Sequence, residues 1–222
     1  CQQNGKCMYN IFNSFLRIYP KNKSKLLYKS KIFNSILEFN LDDVDFHNYV
    51  CSKDTDVTTF VNYIWDNNNF QLLIKANSNG LLSLSSKLLD NYDELAIIFY
   101  ENDIYTCIID YIIETIQKDA QKATNGILLI SLFIEIINTK NQKDDFVCKL
   151  EKSENKFQKI FQALFNQNIQ KELFESICNL VVMLFSFVPS YEKAILNLLS
   201  NDFLKKINYV HQLNAVKLIV SV

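Results

Sequence analysis

Residues that break helices are scarce along this chain. Only three glycines and two prolines occur in 222 residues. The turn signals that join alternating strands into β-hairpins are missing, whereas long runs carry apolar residues at helical spacing. The sequence therefore predicts an all-α protein.

One stretch, residues 124–138, is the most apolar part of the pattern. Nine of the twelve positions from Gly126 to Ile137 are Ile, Leu or Phe. Ser131, Glu135 and Asn138 interrupt it in one narrow stripe. A helix that is apolar around most of its circumference is buried between neighbours, so we expect this one to be the innermost of a layered array.

Apolar periodicity and capping residues predict the remaining helices. Residues 67–69 are expected to be a polar break, and the most polar linker, residues 139–155, a flexible loop or hinge. Short connections elsewhere should place consecutive helices side by side. The predicted helices are 8–19, 24–39, 44–50, 57–66, 70–76 and 79–90 (as one helix or two), 94–100, 104–118, 157–165, 169–187, 191–199 and 203–222.

Four similar segments recur along the chain, centred on Asn34, Asn79, Asn125 and Asn179. Their asparagines are 45, 46 and 54 residues apart. Armadillo and HEAT repeats have intervals of about 40–47 residues. We therefore expect a right-handed α-solenoid of armadillo/HEAT-like repeats, forming a single domain over residues 1–222 that is a fragment of a longer protein.

Residues 57–222 resemble an armadillo array, most clearly over residues 168–187, NIQKELFESICNLVVMLFSF, which are similar to that family's long third helix. In the family the third helices line a concave groove, and an Asn on each binds the backbone of an extended partner. The resemblance implies this role for Asn79 and Asn179, with lesser claims for Asn34 and Asn125. The nuclear-import branch places a Trp four residues ahead of the Asn. That Trp is absent here, so binding of nuclear signals is not predicted.

Polar stripes along the inner helices indicate a partner-binding groove. Its candidate residues are Lys75, Asn79, Ser83, Ser131, Glu135, Glu175, Asn179 and Ser186. The pairs Asn79–Gly80 and Asn125–Gly126 are compatible with either a helix start or a mid-helix position. The only tryptophan, Trp65, is the candidate surface anchor, and the alternative is a partly buried ridge residue.

Chemistry-bearing motifs are missing from the sequence. The two histidines and six cysteines lack the spacing of metal ligands, and no phosphate-binding or nucleophile motif occurs. We expect no catalytic residue, no metal and no cofactor. Scattered cysteines without a disulfide framework favour a reducing compartment, the cytoplasm or alternatively the nucleus.

Charge and hydropathy limit the kinds of partner. A formal net charge of −1 and a single arginine, Arg17, argue against nucleic acid. The apolar runs 127–137 and 177–188 are too short for a membrane span. We expect a non-enzymatic scaffold or adaptor that binds a partner protein. The alternatives are a structural subunit of a large assembly, or a regulatory subunit of a phosphatase, chaperone or cytoskeletal system.

Overall fold

The computed structural model describes residues 5–7, 9–11, 14, 41–52, 57–200 and 202–222. Every regular element in these ranges is helical and none is a strand, so the all-α class is confirmed. The helix predicted at 24–39 lies outside the described residues, as do Asn34 and most of the helix predicted at 8–19.

The chain divides into two compact units, unit 1 (Cys1–Cys107) and unit 2 (Ile108–Val222). The helix α6, Ile104–Thr115, contains the boundary. Within the described ranges from residue 41 to the boundary, the other helices of unit 1 are α1 Val44–Val50, α2 Thr58–Ile64, α3 Asn67–Ala76, α4 Ser78–Asn91 and α5 Ala96–Glu101. Those of unit 2 are α7 Ala120–Ile137, α8 Lys143–Glu151, α9 Glu154–Phe161, α10 Lys171–Phe187, α11 Glu192–Leu198, α12 Phe203–Lys206 and α13 Gln212–Ser221.

Side-chain caps determine where α3 and α4 begin. The Asp66 carboxylate accepts hydrogen bonds from the backbone N–H groups two and three residues on, at 3.1 and 3.2 Å. Residues 67–69 are therefore the first turn of α3, and the prediction of a polar break there is wrong. The break before α3 consists of Trp65 and Asp66. A second break at Asn77 separates α3 from α4, so this region forms two helices, and the Asn77 side chain begins α4 by accepting from the Gly80 N–H at 3.1 Å.

The two Asn–Gly pairs occupy different positions, and each glycine marks a close approach. Asn79 and Gly80 lie in the first turn of α4, whereas Asn125 and Gly126 lie inside α7. A Cβ at Gly80 would be 2.7 Å from the backbone of Leu41. A Cβ at Gly126 would be 2.7 Å from Cγ1 of Ile112. The helix-start interpretation therefore holds for the first pair and the mid-helix interpretation for the second.

Helix α7 is the most apolar helix of unit 2. Asp119 caps it by accepting from the Lys122 N–H at 3.2 Å, and that hydrogen bond holds the pKa of the carboxyl below its ordinary value. Ile130 and Phe133 are fully buried. Leu128 is 54 % exposed, so the neighbours of α7 do not cover its whole circumference.

Residues 139–155, predicted as a flexible loop, contain helix α8 and the start of α9. Phe146 and Leu150, one helical turn apart, are fully buried. The Phe146 ring packs edge-to-face on Phe133 with centroids 5.1 Å apart, and the Leu150 carbonyl accepts a hydrogen bond from the Tyr191 hydroxyl. These two apolar contacts attach an otherwise charged helix to its unit, so residues 143–151 are helical where the sequence predicts a loop.

The last predicted helix, 203–222, is also interrupted. The chain becomes extended at Ile207 and Asn208, which separate α12 from α13. The Asn208 side chain accepts a hydrogen bond from the Val210 N–H at 3.1 Å and starts the 3-10 turn that leads into α13. An asparagine inside an apolar pattern therefore acts as a cap.

One helix among the described residues is long and apolar enough to cross a membrane on length and composition alone. This is α7, with 18 residues and a mean hydropathy of 1.3, and half of it is buried inside the protein. The segments Lys171–Phe187 and Pro189–Leu198 pass the same test only together, and they meet at 117°. A core helix also passes this test. The absence of a membrane span therefore stays a prediction.

Candidate partner-binding groove

Helix α10 separates an apolar face from a polar one. Leu173, Ile177 and Leu180 recur at helical spacing and are buried. Asn179 and Ser186 are exposed on the opposite side. The pattern of this helix thus places its polar side chains where a partner can reach them.

A groove of about 570 Å³ lies beside this polar face, within unit 2. Its lining residues come from the C-terminal part of α7, the start of α8, the C-terminal half of α10 and the end of α13. They are Ile134, Glu135, Asn138, Lys143, Asn179, Val182, Met183, Ser186, Phe187 and Ser221. Three of the predicted site residues, Glu135, Asn179 and Ser186, are therefore brought together.

A smaller depression of about 90 Å³ continues the groove between α10 and α13. Asn179, Val182 and Ser221 line both depressions. At the far end of the smaller one, Glu175 accepts a hydrogen bond from Asn214 Nδ2 at 2.8 Å. We refer to the two depressions together as the α10 groove.

The lining also shows the direction of the three helices. Ile134 near the end of α7 shares the groove with Phe187 at the end of α10. Asn214, early in α13, bonds Glu175, early in α10, while Ser221 at the end of α13 lies beside Val182. Helices α7, α10 and α13 therefore run in the same direction on the two sides of the groove.

Asn179 occupies the junction of the two depressions. It lies in the middle of α10, is exposed, and its amide makes no hydrogen bond within the described part of the chain. An amide offers two donors and an acceptor, which are the groups needed to bind both the C=O and the N–H of a peptide. Asn179 is thus placed and equipped to hold an extended main chain.

Charges of both signs line the α10 groove. In the larger depression Glu135 has no ion pair within the described residues, and Lys143 Nζ lies over the Phe187 ring at 5.5 Å from its centroid. In the smaller depression Glu175 lies with Lys217. The lining therefore carries two carboxylates and two ammonium groups.

The remaining predicted groove residues lie elsewhere. Ser131 is half-buried on α7, one turn before Glu135. Lys75 is on α3, whereas Asn79 and Ser83 are on α4, and all three are exposed residues of unit 1. The spacing of Lys75, Asn79 and Ser83 predicts one helical stripe, but the break at Asn77 separates Lys75 from the other two.

Trp65 is a core residue, and its assignment as a surface anchor is corrected. Its side chain is 0 % exposed. Its Nε1 donates to Ser85 Oγ at 3.1 Å, and its ring packs edge-to-face on Phe99 with centroids 5.2 Å apart. Trp65 ends α2, and residues of α4 and α5 cover it, so the polar segment that follows it in sequence does not expose it.

Both histidines and the cysteine of the groove are buried. His47 and His211 are buried, and the Nε2 of each lies against a backbone carbonyl, that of Leu41 and of Ile169 respectively. Cys178 lines the smaller depression, but burial raises the pKa of its thiol to about 12, which disfavours the nucleophilic thiolate. The described residues contain no cluster of three or more His, Cys, Asp or Glu side chains able to hold a metal ion.

Several groove residues were not predicted from the sequence. The sequence places Asn138 at the end of the central helix and Lys143 in the polar linker, and it assigns neither of them, nor Met183, Phe187 or Ser221, to the groove. Their juxtaposition depends on how α7, α10 and α13 pack, which the local pattern does not encode. The signal available in the sequence was the recurrence of long apolar helices about 40–50 residues apart.

No family model, no curated protein and no solved structure matches this chain.

Proposed function

We propose that this protein is a non-enzymatic protein-binding module, a scaffold or adaptor, that holds an extended segment of a partner protein in the α10 groove. The observation that carries the proposal is the position of Asn179. Its amide is exposed at the junction of two depressions and is unused within the described residues. A mid-helix Asn in this setting is suited to hydrogen-bonding a main chain, which is a common way of binding extended peptides.

A repeated offset within each unit supports an armadillo/HEAT-like right-handed α-solenoid as the framework of this groove. In unit 2, hydrogen bonds join Asn214 to Glu175 and His211 to Ile169, pairs 39 and 42 residues apart. In unit 1, Asn77 bonds Asp42, 35 residues away. Offsets of this size are what successive layers of two or three helices produce.

The order of helix lengths in unit 2 supports the same proposal. Two short helices, α8 and α9, precede the 17-residue α10, and two short helices, α11 and α12, precede α13. Helix α10, with 17 residues, and helix α13, with 10, are each longer than the two helices directly before them, run in the same direction and line the groove. In the armadillo resemblance they correspond to third helices.

The resemblance assigns partner binding most directly to Asn179. Asn79 is in the first turn of α4, and the Asn125 side chain accepts a hydrogen bond from Gln121 at 3.0 Å. Neither therefore shares the environment of Asn179. The proposal accordingly rests on the groove of unit 2.

The test is a comparison of partner capture by matched variants. Asn179→Ala removes the groove amide, whereas Asn197→Ala removes an exposed helical amide from α11, outside the groove. Proteins captured by each variant from a cell extract would be quantified by mass spectrometry. We expect recovery of specific partners by Asn179→Ala to fall by about fivefold or more, as for loss of a hydrogen bond to a partner, and recovery by Asn197→Ala to match wild type. Equal recovery by all three proteins would contradict the proposal.

A second candidate function, a structural subunit of a large assembly, has its own supporting observation. Tyr209, Leu213 and Val220, at or near α13, are 80 %, 69 % and 80 % exposed. Contiguous exposed apolar residues are typical of surfaces that neighbours cover. Light scattering after size exclusion would test this role. Concentration-dependent self-association that Leu213→Lys abolishes favours the assembly subunit, whereas a monomer at all concentrations favours the reversible adaptor.

A further inference from the structure

The lining of the α10 groove also restricts the chemistry of its occupant. We infer that the partner segment is uncharged and inserts one large apolar side chain beside Met183, while Asn179 binds its main chain. This inference rests on the proposed protein-binding function and adds the class of segment that the groove takes.

The larger depression has an apolar floor. Ile134 and Phe187 are 1 % and 7 % exposed, and Val182 and Met183 are half-buried. The unbranched Met side chain adjusts to apolar groups of different shape. An apolar side chain of the partner would be removed from water on this floor, which is the main source of affinity at such a site.

The charges around this floor oppose a strongly charged segment. Glu135 and Lys143 line the larger depression, and Glu175 and Lys217 line the smaller one. A run of basic residues would meet an ammonium group in each depression, and a run of acidic residues a carboxylate. One charge of each depression repels such a run and the other attracts it, so the run gains no net attraction. Nothing then offsets the cost of taking its charges out of water, and an uncharged segment is favoured.

The dimensions of α10 set the length of the segment. From Glu175 to Phe187 the helix rises by about 18 Å, at about 1.5 Å per residue. An extended chain covers this distance with about five or six residues at about 3.3 Å each. Asn179 lies about a third of the way along, so its main-chain contact and the apolar pocket beside Met183 engage neighbouring residues of one short segment.

The experiment is a selection from a displayed random library of peptides about seven residues long against the purified wild-type chain. We expect enrichment of Leu, Ile, Met or Phe at one position and no enrichment of charged residues. The dissociation constant of a selected peptide, measured by fluorescence polarisation, should change by less than about twofold between about 50 and about 500 mM salt.

Matched variants locate the peptide. Met183→Glu puts a charge into the apolar floor and should weaken binding by about tenfold or more, whereas Leu196→Glu changes an exposed apolar residue of α11 outside the groove and should not. Melting curves establish that both variants are folded. The consensus and the salt dependence are measured on wild type, so they test the inference even if Met183→Glu does not fold.

The outcomes separate the inference from the proposed function. Enrichment of charged peptides with strongly salt-dependent binding would overturn the inference and leave protein binding at Asn179 intact. Enrichment of apolar peptides that Met183→Glu binds as tightly as wild type would also overturn it. If no peptide is enriched but Asn179→Ala still loses its partners, the inference of an uncharged segment is wrong and the proposed function is retained. If Asn179→Ala keeps its partners and Met183→Glu keeps its peptides, both the inference and the proposed function are refuted.

Discussion

Trp65 in unit 1 and Asn179 in unit 2 have opposite surroundings. Both residues were candidates for contact with a partner. Trp65 is 0 % exposed and bonded to Ser85, whereas Asn179 is exposed with its amide unused among the described residues. Asn179 lies in the middle of a 17-residue helix, where the spacing of residues determines which face is exposed. Trp65 ends a seven-residue helix, so residues much later in the chain determine what covers it.

Removing the Trp65 side chain gives the largest expected effect. We expect Trp65→Ala to lower the free energy of unfolding by about 3–5 kcal/mol, because it leaves a large cavity and an unpaired Ser85 hydroxyl. Thermal denaturation followed by circular dichroism measures the change. Trp65→Phe fills most of the cavity and should lower the free energy of unfolding by less. A stable Trp65→Ala variant would mean that Trp65 lies at the surface, and the contrast with Asn179 would disappear.

The two buried glycines extend the comparison to the packing of each unit. Gly80→Ala places a Cβ 2.7 Å from the Leu41 backbone, which cannot rotate away, so we expect a net loss of about 1–3 kcal/mol. Gly126→Ala meets Cγ1 of Ile112, a side-chain atom that can shift, and should cost less. Urea denaturation compares the two variants. The fluorescence of the only tryptophan reports on unit 1, so Gly80→Ala should shift its transition. Equal losses in the free energy of unfolding would show that the Leu41 backbone and the Ile112 side chain move aside equally easily.

The pH dependence of stability tests a buried group of unit 1. Burial holds the pKa of His47 below its ordinary value of 6.5, partly offset by its hydrogen bond to the Leu41 carbonyl. As the pH falls below 6.5, the unfolded chain takes up a proton that the folded chain binds less readily, so the free energy of unfolding decreases. The contribution of neutral His47 to the free energy of unfolding should be complete above pH 6.5. We expect His47→Gln, which keeps a donor for the carbonyl, to show a weaker pH dependence in urea denaturation. Identical pH profiles would contradict the assignment to His47.

The smallest expected effect on stability is at Asn179. Asn179→Ala removes no hydrogen bond within the described residues and improves helix propensity, so the free energy of unfolding should stay within about 0.5 kcal/mol of wild type. The same urea titration, with Asn197→Ala as the control, measures this. A loss above about 1 kcal/mol would reveal a structural role for the amide and weaken its assignment to partner binding.

The sequence predicted what depends on neighbours a few positions away. Periodicity identified the helical class, the bounds of α1 and the exposed stripe of α10. It did not identify α8, because only two buried apolar residues, Phe146 and Leu150, stand out in its mostly charged sequence. It also missed the contribution of α13 to the groove, because the bond between Asn214 and Glu175 joins residues 39 apart. Interactions at that distance depend on tertiary packing, which local propensity does not describe.

The offset of about forty residues in unit 2 has a mechanical consequence. His211 and Asn214 hold α13 against the N-terminal part of α10 through single hydrogen bonds, alongside the stacking of His211 on Phe174. The buried side chains of Ala215 and Leu218 add apolar packing to these contacts. A pull on the C-terminal end should therefore detach α13 first, and the α10 groove would lose the wall that α13 forms.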